Sequence, residues 1–412
     1  MKMKTLFGVC KFVVILSFIL SACSPSPPPK DKIVIGRAVS LTGPNGIIAK
    51  SASGPVYQMW VDEVNSKGGL YVKEYKKRLP IELKLYDDES DYEKAVLLLQ
   101  KLILEDKVDF ILAPAGTLWL FAAAPVANNL GYVLLGAEGG ALKIKEYAEA
   151  LPYFFPVLNY ADTQIPAMAD LFKENGIKSV AIMHLDDIHG QEYASTAIRE
   201  FEKRGITIKT ARSIPVGAKD VSHHLKRAKA LGVDAFLGFT YPNESFLAIK
   251  QAIELGINFK VFHFNVGTNF GFFPGMFGSA AEGILGAGAW NCRISAKAEE
   301  YCRKYRQHYD ESTFDWWGDI LYYASLQFFE QAVEKAGTLD QKKIRDVMAT
   351  ERFETVLGET WFENGRLAPD CLAGQIGQWQ NGVFEVVAPK DKATSNLIVP
   401  KPAWPVQLPE NG

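Results

Sequence analysis

One loop of small residues stands where the sequence could bind an anionic group. Ala115, Gly116 and Thr117 follow the apolar run 108–113 and precede a stretch of helical pattern at residues 118–128. A threonine at a helix start can cap the helix, which leaves its hydroxyl and the first backbone amides for a negatively charged ligand. We therefore expect all three residues to contact the anionic end of a ligand.

A second loop offers exposed backbone and one carboxylate. Residues 136–140 read Gly-Ala-Glu-Gly-Gly and follow the apolar run 132–135. Gly139 and Gly140 permit a ligand to approach the backbone closely, and Glu138 adds a negative charge. Ligands of open parallel sheets bind beyond the carboxyl ends of the strands, where both loops fall. The pattern predicts ligand contacts from this loop, with plain strand-to-helix turns as the alternative.

Catalytic and metal-binding patterns are missing from the sequence. It contains no G-x-S-x-G, H-E-x-x-H or G-x-x-x-x-G-K motif, and residues 136–140 do not match a dinucleotide-binding fingerprint. His223 and His224 are adjacent in a segment of helical period, so their side chains point in different directions. His184 has neighbouring acids but no nucleophile at a recognisable spacing. We expect neither an enzyme nor a metal or cofactor site.

The elements that must position the two loops alternate regularly. Short apolar runs such as 33–35 and 81–85 are followed by longer amphipathic stretches such as 54–65. This alternation indicates β-α-β units and a parallel sheet. It predicts an α/β protein with a first lobe at residues 32–150 and a second at 151–285. Residues 286–412 change character, and we expect them to cross between the lobes and complete both.

The amino-terminal segment has the pattern of an export signal. Two lysines, an apolar stretch and small residues precede Cys23, which indicates a signal peptide at residues 1–22. The segment ends like the bacterial lipobox, which implies a lipid anchor on Cys23, although an ordinary signal peptide is the alternative. The proline-rich residues 23–31 would form a stiff tether to a membrane. We expect an exported protein in the periplasm or at the cell surface.

Net charge limits the classes of partner, and the cysteines limit the possible disulfides. The formal net charge is −2, which argues against nucleic acid or an anionic surface as the main partner. No second apolar run reaches the ~18–20 residues of a membrane helix. In an oxidising compartment, Cys292, Cys302 and Cys371 can form one disulfide with one thiol left over. The sequence leaves the pairing open.

Several segments together resemble the type I periplasmic binding proteins of ABC transporters, within the branched-chain amino acid (leucine/isoleucine/valine) binding family. They are IGRAVSLTGPNG at 35–46, VDEVNSKGGL at 61–70, LKLYDDESDYEKAV at 83–96, SVAIMHLDDIHGQEY at 179–193, AKALGVDAFLGFTYPNESFLAIKQAIELGI at 228–257 and WWGDILYYASLQFFEQAVEKAGT at 316–338. Each segment is a weak signal alone, but their order and spacing are specific. The resemblance covers nearly all of the chain after the tether.

The resemblance implies two Rossmann-like lobes, joined by three crossings, that close on a small ligand. The family's carboxylate-binding motif falls at residues 115–117, and the next contact loop falls at Gly139 and Gly140, where a hydroxyl is missing. A usual aromatic contact falls at His189, and the acidic partner of the ligand ammonium falls near Asn265. The resemblance also implies delivery of the ligand to an ABC permease with a partner ATPase.

These departures leave the ligand open. A buried ammonium without a carboxylate would be an unpaired charge, so Glu138 could replace the missing acid for a branched-chain or other hydrophobic amino acid. Otherwise the ligand is an amine-free aromatic or aliphatic carboxylate, for which rings such as that of Tyr241 are available. A sensor that hands its ligand to a separate receptor is a further alternative.

Overall fold

The structure is a computed structural model that describes residues 28–137 and 139–405. The expected signal peptide, the anchor at Cys23 and the Glu138 contact lie outside these residues, as does the side chain of Ile48. Within them, no helix has both the length and the apolar character needed to cross a bilayer.

Short strands and longer helices alternate through most of the chain. The strands are β1 (Ile33–Val39), β2 (Leu70–Val72), β3 (Lys77–Leu79), β4 (Ile81–Asp87), β5 (Phe110–Leu112), β6 (Leu134–Gly136), β7 (Phe154–Pro156), β8 (Ser179–Leu185), β9 (Thr207–Ile214), β10 (Ala235–Phe239), β11 (Val261–Phe264), β12 (Ile284–Ala289), β13 (Phe353–Thr355), β14 (Gly358–Thr360), β15 (Phe362–Glu363), β16 (Arg366–Leu367), β17 (Gly374–Gln380) and β18 (Val383–Ala388).

The helices are α1 (Gly46–Ile48), α2 (Gly54–Ser66), α3 (Tyr92–Leu104), α4 (Thr117–Asn129), α5 (Ile144–Ala150), α6 (Ala161–Glu174), α7 (Ile188–Lys203), α8 (Ser222–Ala230), α9 (Pro242–Glu254), α10 (Phe273–Phe277), α11 (Ala296–Tyr305), α12 (Asp319–Ala336) and α13 (Gln341–Thr350). A π-helical segment, Ala49–Ser53, joins α1 to α2. Asp91 caps α3, because its carboxylate accepts the amides of Glu93 and Lys94 at 2.8 and 3.1 Å.

Two separate sheets form the centres of two lobes. The first has the strand order β4-β1-β5-β6-β7, and all its pairings are parallel. The second has the order β18-β17-β12-β11-β10-β8-β9, in which β17 pairs antiparallel with both β12 and β18 and the other pairings are parallel. Central strands such as β5 and β10 are buried along their whole length, as is typical of parallel sheets covered on both faces. The expected two-lobed α/β architecture is confirmed.

The chain passes between the lobes three times. It leaves the first lobe after β7, returns after β12 so that α12 packs against α2 and β2, and crosses again to reach β17. Strand β7 pairs with β6, so the first lobe extends past the boundary of residue 150 expected from the sequence. The difference arises because α5 is followed by one more short strand.

A disulfide lies in the second crossing. Cys292 and Cys302 are bonded, and Cys371 is a buried free thiol. Cys292 follows β12 and Cys302 lies on α11, so the bond ties the crossing segment to the helix. This resolves the pairing that the sequence left open.

Candidate functional site

A cavity lies between the lobes at the carboxyl ends of the strands. Its empty space is about 540 Å³, counting the part open to solvent. Loops that follow β5, β6, β8, β10 and β11 contribute to its walls, together with the first crossing, the second crossing and the start of α12. The lining residues are Gly116, Thr117, Ala137, Gly140, Leu158, His189, Tyr241, Val266, Asn269, Phe270, Asp315, Trp317, Gly318 and Tyr322.

Most of the expected contact residues meet at this cavity. Gly116, Thr117, Gly140, His189 and Tyr241 line it, although they come from four separate loops and both lobes. The long-range arrangement follows from the parallel sheets, which bring the carboxyl ends of successive strands to one edge.

Three expected contact residues lie behind the cavity wall. Ala115 is fully buried in a small cluster with Val39 and Ala49. A Cβ atom on Gly139 would meet Ile144 at 2.8 Å, so this glycine faces the interior of the first lobe. Asn265 is fully buried behind His189.

Thr117 does not cap α4, so that prediction is wrong. Gly116 occupies the N-cap position with φ of 114°, a conformation that favours glycine, and Thr117 is the first helical residue. The Thr117 hydroxyl oxygen accepts the Gly140 amide at 3.2 Å. This bond joins the two loops, and the Thr117 hydroxyl also forms a hydrogen bond with the Tyr241 phenol of the second lobe. The bond between the loops also means that the Gly140 amide is already paired.

Four helices begin at the cavity, and their first turns differ in charge. Asp187 caps α7 by accepting the Gly190 amide at 2.8 Å. Helix α9 has Glu244 in its first turn, and α12 has Asp319 in its own. Helix α4 has neither an acidic residue in its first turn nor a side-chain cap. Because a helix N-terminus attracts negative charge, α4 offers the anion site that its own chain does not fill.

His189 and Tyr241 form an aromatic wall from the second lobe. Their rings are stacked with centroids 5.3 Å apart. Burial lowers the pKa of His189 to about 4, so its imidazole is neutral at physiological pH. Burial, with the nearby Asp187 carboxylate, raises the pKa of Tyr241, which keeps its phenol protonated.

Asp315 is a lining residue that sequence reasoning missed. Its carboxylate accepts the amide of Trp317 at 2.9 Å and the side-chain amide of Asn269. Burial raises the pKa of Asp315 to about 6. The sequence did offer one signal for Asp315. It lies three residues before the Gly318 N-cap of α12, in the run Asp-Trp-Trp-Gly-Asp, where an acid can accept helix amides.

Trp317 is another lining residue that sequence reasoning missed, and it forms an apolar wall. Its indole N–H donates to the Asn159 side-chain oxygen, and the Asn159 side-chain amide donates in turn to the Gly374 carbonyl at 3.1 Å. These partners lie on the first and third crossings. The tryptophan is therefore held by the segments that join the lobes.

The lobes are in contact across the cavity. A Cβ atom on Gly140 would lie 3.1 Å from the His189 ring and 3.5 Å from Trp317. Nearby, the Glu192 carboxylate of the second lobe accepts the Lys143 amide of the first at 3.1 Å. These contacts describe a closed arrangement. Among residues 28–137 and 139–405, no group of three histidine, cysteine or acidic side chains could hold a metal.

Comparison with known proteins identifies the family. The family model described as periplasmic binding protein matches residues 32–382. A leucine-, isoleucine-, valine-, threonine- and alanine-binding protein of Pseudomonas aeruginosa is 22% identical over 332 residues, which cover 77% of this chain and 84% of that protein.

Solved structures share the fold at low identity. The branched-chain amino acid transporter substrate-binding protein LivJ of Streptococcus pneumoniae, in complex with isoleucine, has a TM-score of 0.73 and 21% identity, covering 86% of this chain and 98% of that one. A solute-binding protein of an ABC transporter from Rhodopseudomonas palustris, in complex with 3,4-dihydroxybenzoic acid, has a TM-score of 0.72 and 21% identity, covering 91% and 98%. The chain therefore belongs to the periplasmic binding protein family, whose members are solute-binding proteins and not enzymes.

Proposed function

We propose that this protein is the substrate-binding lipoprotein of an ABC importer and captures a small carboxylate in the cavity between its lobes. The observation that carries the proposal is the start of α4. It is the one helix start among the four at the cavity that has no acidic side chain of its own. A ligand carboxylate would supply the missing negative charge.

The donors at this position suit a carboxylate. The first amides of α4 have no partner within the helix. The Thr117 hydroxyl, whose oxygen accepts the Gly140 amide, can rotate its proton from the Tyr241 phenol to a ligand oxygen. Burial strengthens these bonds, since Thr117 is only 2% exposed and lies in a region of low dielectric constant. Gly116 allows the ligand to approach the helix start without meeting a side chain.

The remainder of the cavity suits an apolar ligand body. Trp317, Tyr322, Phe270 and Leu158 present rings and aliphatic groups. A branched-chain or other hydrophobic amino acid would fit this description, with Glu138 as the ammonium partner. An amine-free aromatic or aliphatic acid would also fit it. The isoleucine and dihydroxybenzoate complexes of structural relatives support considering both.

Delivery would follow from closure. A ligand that binds the closed form better than the open form shifts the equilibrium toward closure by its differential affinity. The closed form would then be presented to a membrane permease, with energy supplied by the partner ATPase. A lipid on Cys23 and the proline-rich tether, at roughly 3.1 Å per residue, would keep the protein about 20 Å from its membrane.

A thermal-unfolding screen tests the proposed function. The protein from residue 31 onward would be heated with leucine, valine, phenylalanine, 4-methylpentanoate, 4-hydroxybenzoate and the primary amides of the same acids, which lack the carboxylate. Ligands that bind the folded state raise the midpoint, so we expect at least one carboxylate to raise it and its matched amide to have no effect. Equal shifts with acids and amides would contradict carboxylate capture.

A further inference from the structure

One nitrogen of His189 is buried at the cavity without a partner. His189 is 2% exposed, and its Nδ1 atom has no hydrogen-bond partner in the described part of the chain. This atom would lie 3.3 Å from a Cβ atom on Gly140, so it faces the opposite lobe across the cleft. Buried polar atoms are costly when unpaired, which makes Nδ1 a position that a ligand atom would satisfy.

Asn265 determines what Nδ1 offers to that ligand. The Asn265 amide nitrogen is 3.5 Å from the Nε2 atom of His189. With the Asn265 amide nitrogen toward the ring, as the structure places it, Nε2 accepts and the proton of the neutral imidazole resides on Nδ1. The ring is neutral because burial lowers the pKa of His189 to about 4. His189 therefore presents a neutral N–H donor to the cleft.

The position of the His189 donor indicates that it would contact the α position of a carboxylate ligand. Gly140 borders both groups, because its amide donates to the Thr117 hydroxyl oxygen and its α-carbon faces the His189 ring. A carboxylate held at the start of α4 thus has its neighbouring carbon close to His189. In the proposed complex, the α4 amides and the Thr117 hydroxyl would bind the carboxylate oxygens. The donor on His189 remains for the substituent at the α position.

The Asp315 carboxylate is already engaged by its own chain. The amide of Trp317 and the side-chain amide of Asn269 both donate to it. It stands at the start of α12, where it offsets the positive end of that helix. An α-ammonium near His189 would instead meet an N–H donor, and two donors facing each other leave both unpaired.

We propose that His189, with its tautomer set by Asn265, selects ligands that carry a hydrogen-bond acceptor at the α position, namely 2-oxo and 2-hydroxy acids, over the corresponding α-amino acids. This inference rests on the proposed function, because it assumes a carboxylate at the start of α4. It assigns a joint role to His189 and Asn265, two of the positions where the sequence departs from the pattern that the resemblance implies.

Two matched ligand series test the inference by calorimetric titration. One consists of leucine, 2-hydroxy-4-methylpentanoate and 2-oxo-4-methylpentanoate, and the other of phenylalanine, 3-phenyllactate and phenylpyruvate. In the series that fits the cavity, we expect the oxo acid to bind about 5- to 150-fold more tightly than the amino acid, the range for one unsatisfied buried partner. The hydroxy acid can donate or accept and serves as the internal reference.

Two variants distinguish a role of His189 in ligand selection from a purely structural role. Asn265→Asp places an oxygen that only accepts beside Nε2, which moves the proton to Nε2 and makes Nδ1 an acceptor. At about pH 8.5, well above the usual pKa of histidine, this variant should prefer the amino acid over the oxo acid. His189→Phe keeps a ring but has no polar atom, and it should bind the three ligands of a series without discrimination. The ¹⁵N chemical shifts of His189 report the tautomer in the wild-type protein and in Asn265→Asp.

The outcomes distinguish a failure of this inference from a failure of the proposed function on which it rests. Failure of both series to bind would contradict the proposed function and the inference with it. Binding of a series with the amino acid equal to or tighter than the oxo acid would leave carboxylate capture intact and overturn the role of His189. A wild-type ¹⁵N spectrum with the proton on Nε2 would overturn it as well. Discrimination that persists in a folded His189→Phe variant would assign the selection to another residue.

Discussion

Replacing Thr117 with valine should both weaken ligand binding and destabilise the contact between the loop at Thr117 and the loop at Gly140. The substitution preserves the branched shape but removes the hydroxyl that accepts the Gly140 amide at 3.2 Å. Thr117 is only 2% exposed, so water cannot take the place of the lost oxygen. The Gly140 amide would then be a buried donor without a partner, which costs about 1–3 kcal/mol of the free energy of unfolding.

The effect on affinity follows from the charge of the ligand. A hydrogen bond to a charged group contributes about 1.5–3 kcal/mol, and each 1.4 kcal/mol is a tenfold change in Kd. Thr117→Val should therefore raise the Kd for a carboxylate ligand by about 10- to 150-fold. Thr117→Ser is the matched control, because it retains the hydroxyl. It should change the Kd by less than about threefold, which corresponds to the small free-energy change of a nearly neutral substitution.

Calorimetric titration with the tightest acid of the series, together with urea unfolding of each variant, measures both effects. Urea unfolding reports whether the valine variant is folded under the titration conditions. An unchanged Kd in folded Thr117→Val protein would refute the reasoning, since it would remove the start of α4 from the site. A serine variant as weak as the valine variant would refute it too, because shape and not the hydroxyl would then matter.

Four further changes test other parts of the account. Gly140→Trp should abolish binding in a folded protein, because a Cβ atom there already lies 3.1 Å from the His189 ring; unchanged affinity would exclude that loop. Replacing Cys292 and Cys302 by alanine should lower stability by about 2.7 kcal/mol for a loop of 10 residues, and an unchanged urea midpoint would contradict this. Cys23→Ser should move the protein from the membrane to the soluble fraction, and continued membrane retention would exclude the anchor. Burial raises the pKa of Asp315 from 3.8 to about 6, so the folded protein holds its proton more tightly than the unfolded chain does. The free energy of unfolding should therefore fall as pH rises from about 4 through 6. Asp315→Asn should make the free energy of unfolding in urea depend less on pH over that range, and an equal slope would contradict this.

Local patterns predicted the fold well, because its elements carry their own signals. The cap at Asp91 and the apolar face of α3 both depend on residues within a few positions of each other. Alternating strands and helices then required two parallel sheets. Strand β7 was missed because its three residues follow α5 with little room for a pattern. The short hairpins of β13 to β16 were missed for the same reason.

The site was predictable only where a loop follows a strand directly. Thr117, Gly140 and His189 could be placed on that basis and by resemblance. Asp315 and Trp317 could not, because their contacts with Asn269 and Asn159 join residues 46 and 158 positions apart. The cap at α4 was assigned to Thr117 because sequence reasoning favours threonine there. The positive φ of Gly116, which moves the helix start by one residue, is a backbone feature that the sequence does not display.

The central claim is that a small carboxylate binds at the start of α4 in the cavity between the lobes. Calorimetric titration of residues 31–412 with leucine, isoleucine, valine, phenylalanine and their amine-free counterparts measures it most directly. The account predicts that at least one of these acids binds with one-to-one stoichiometry and that Gly140→Trp abolishes the heat. No binding by any of the acids, or equal binding by the Gly140→Trp variant, would contradict it.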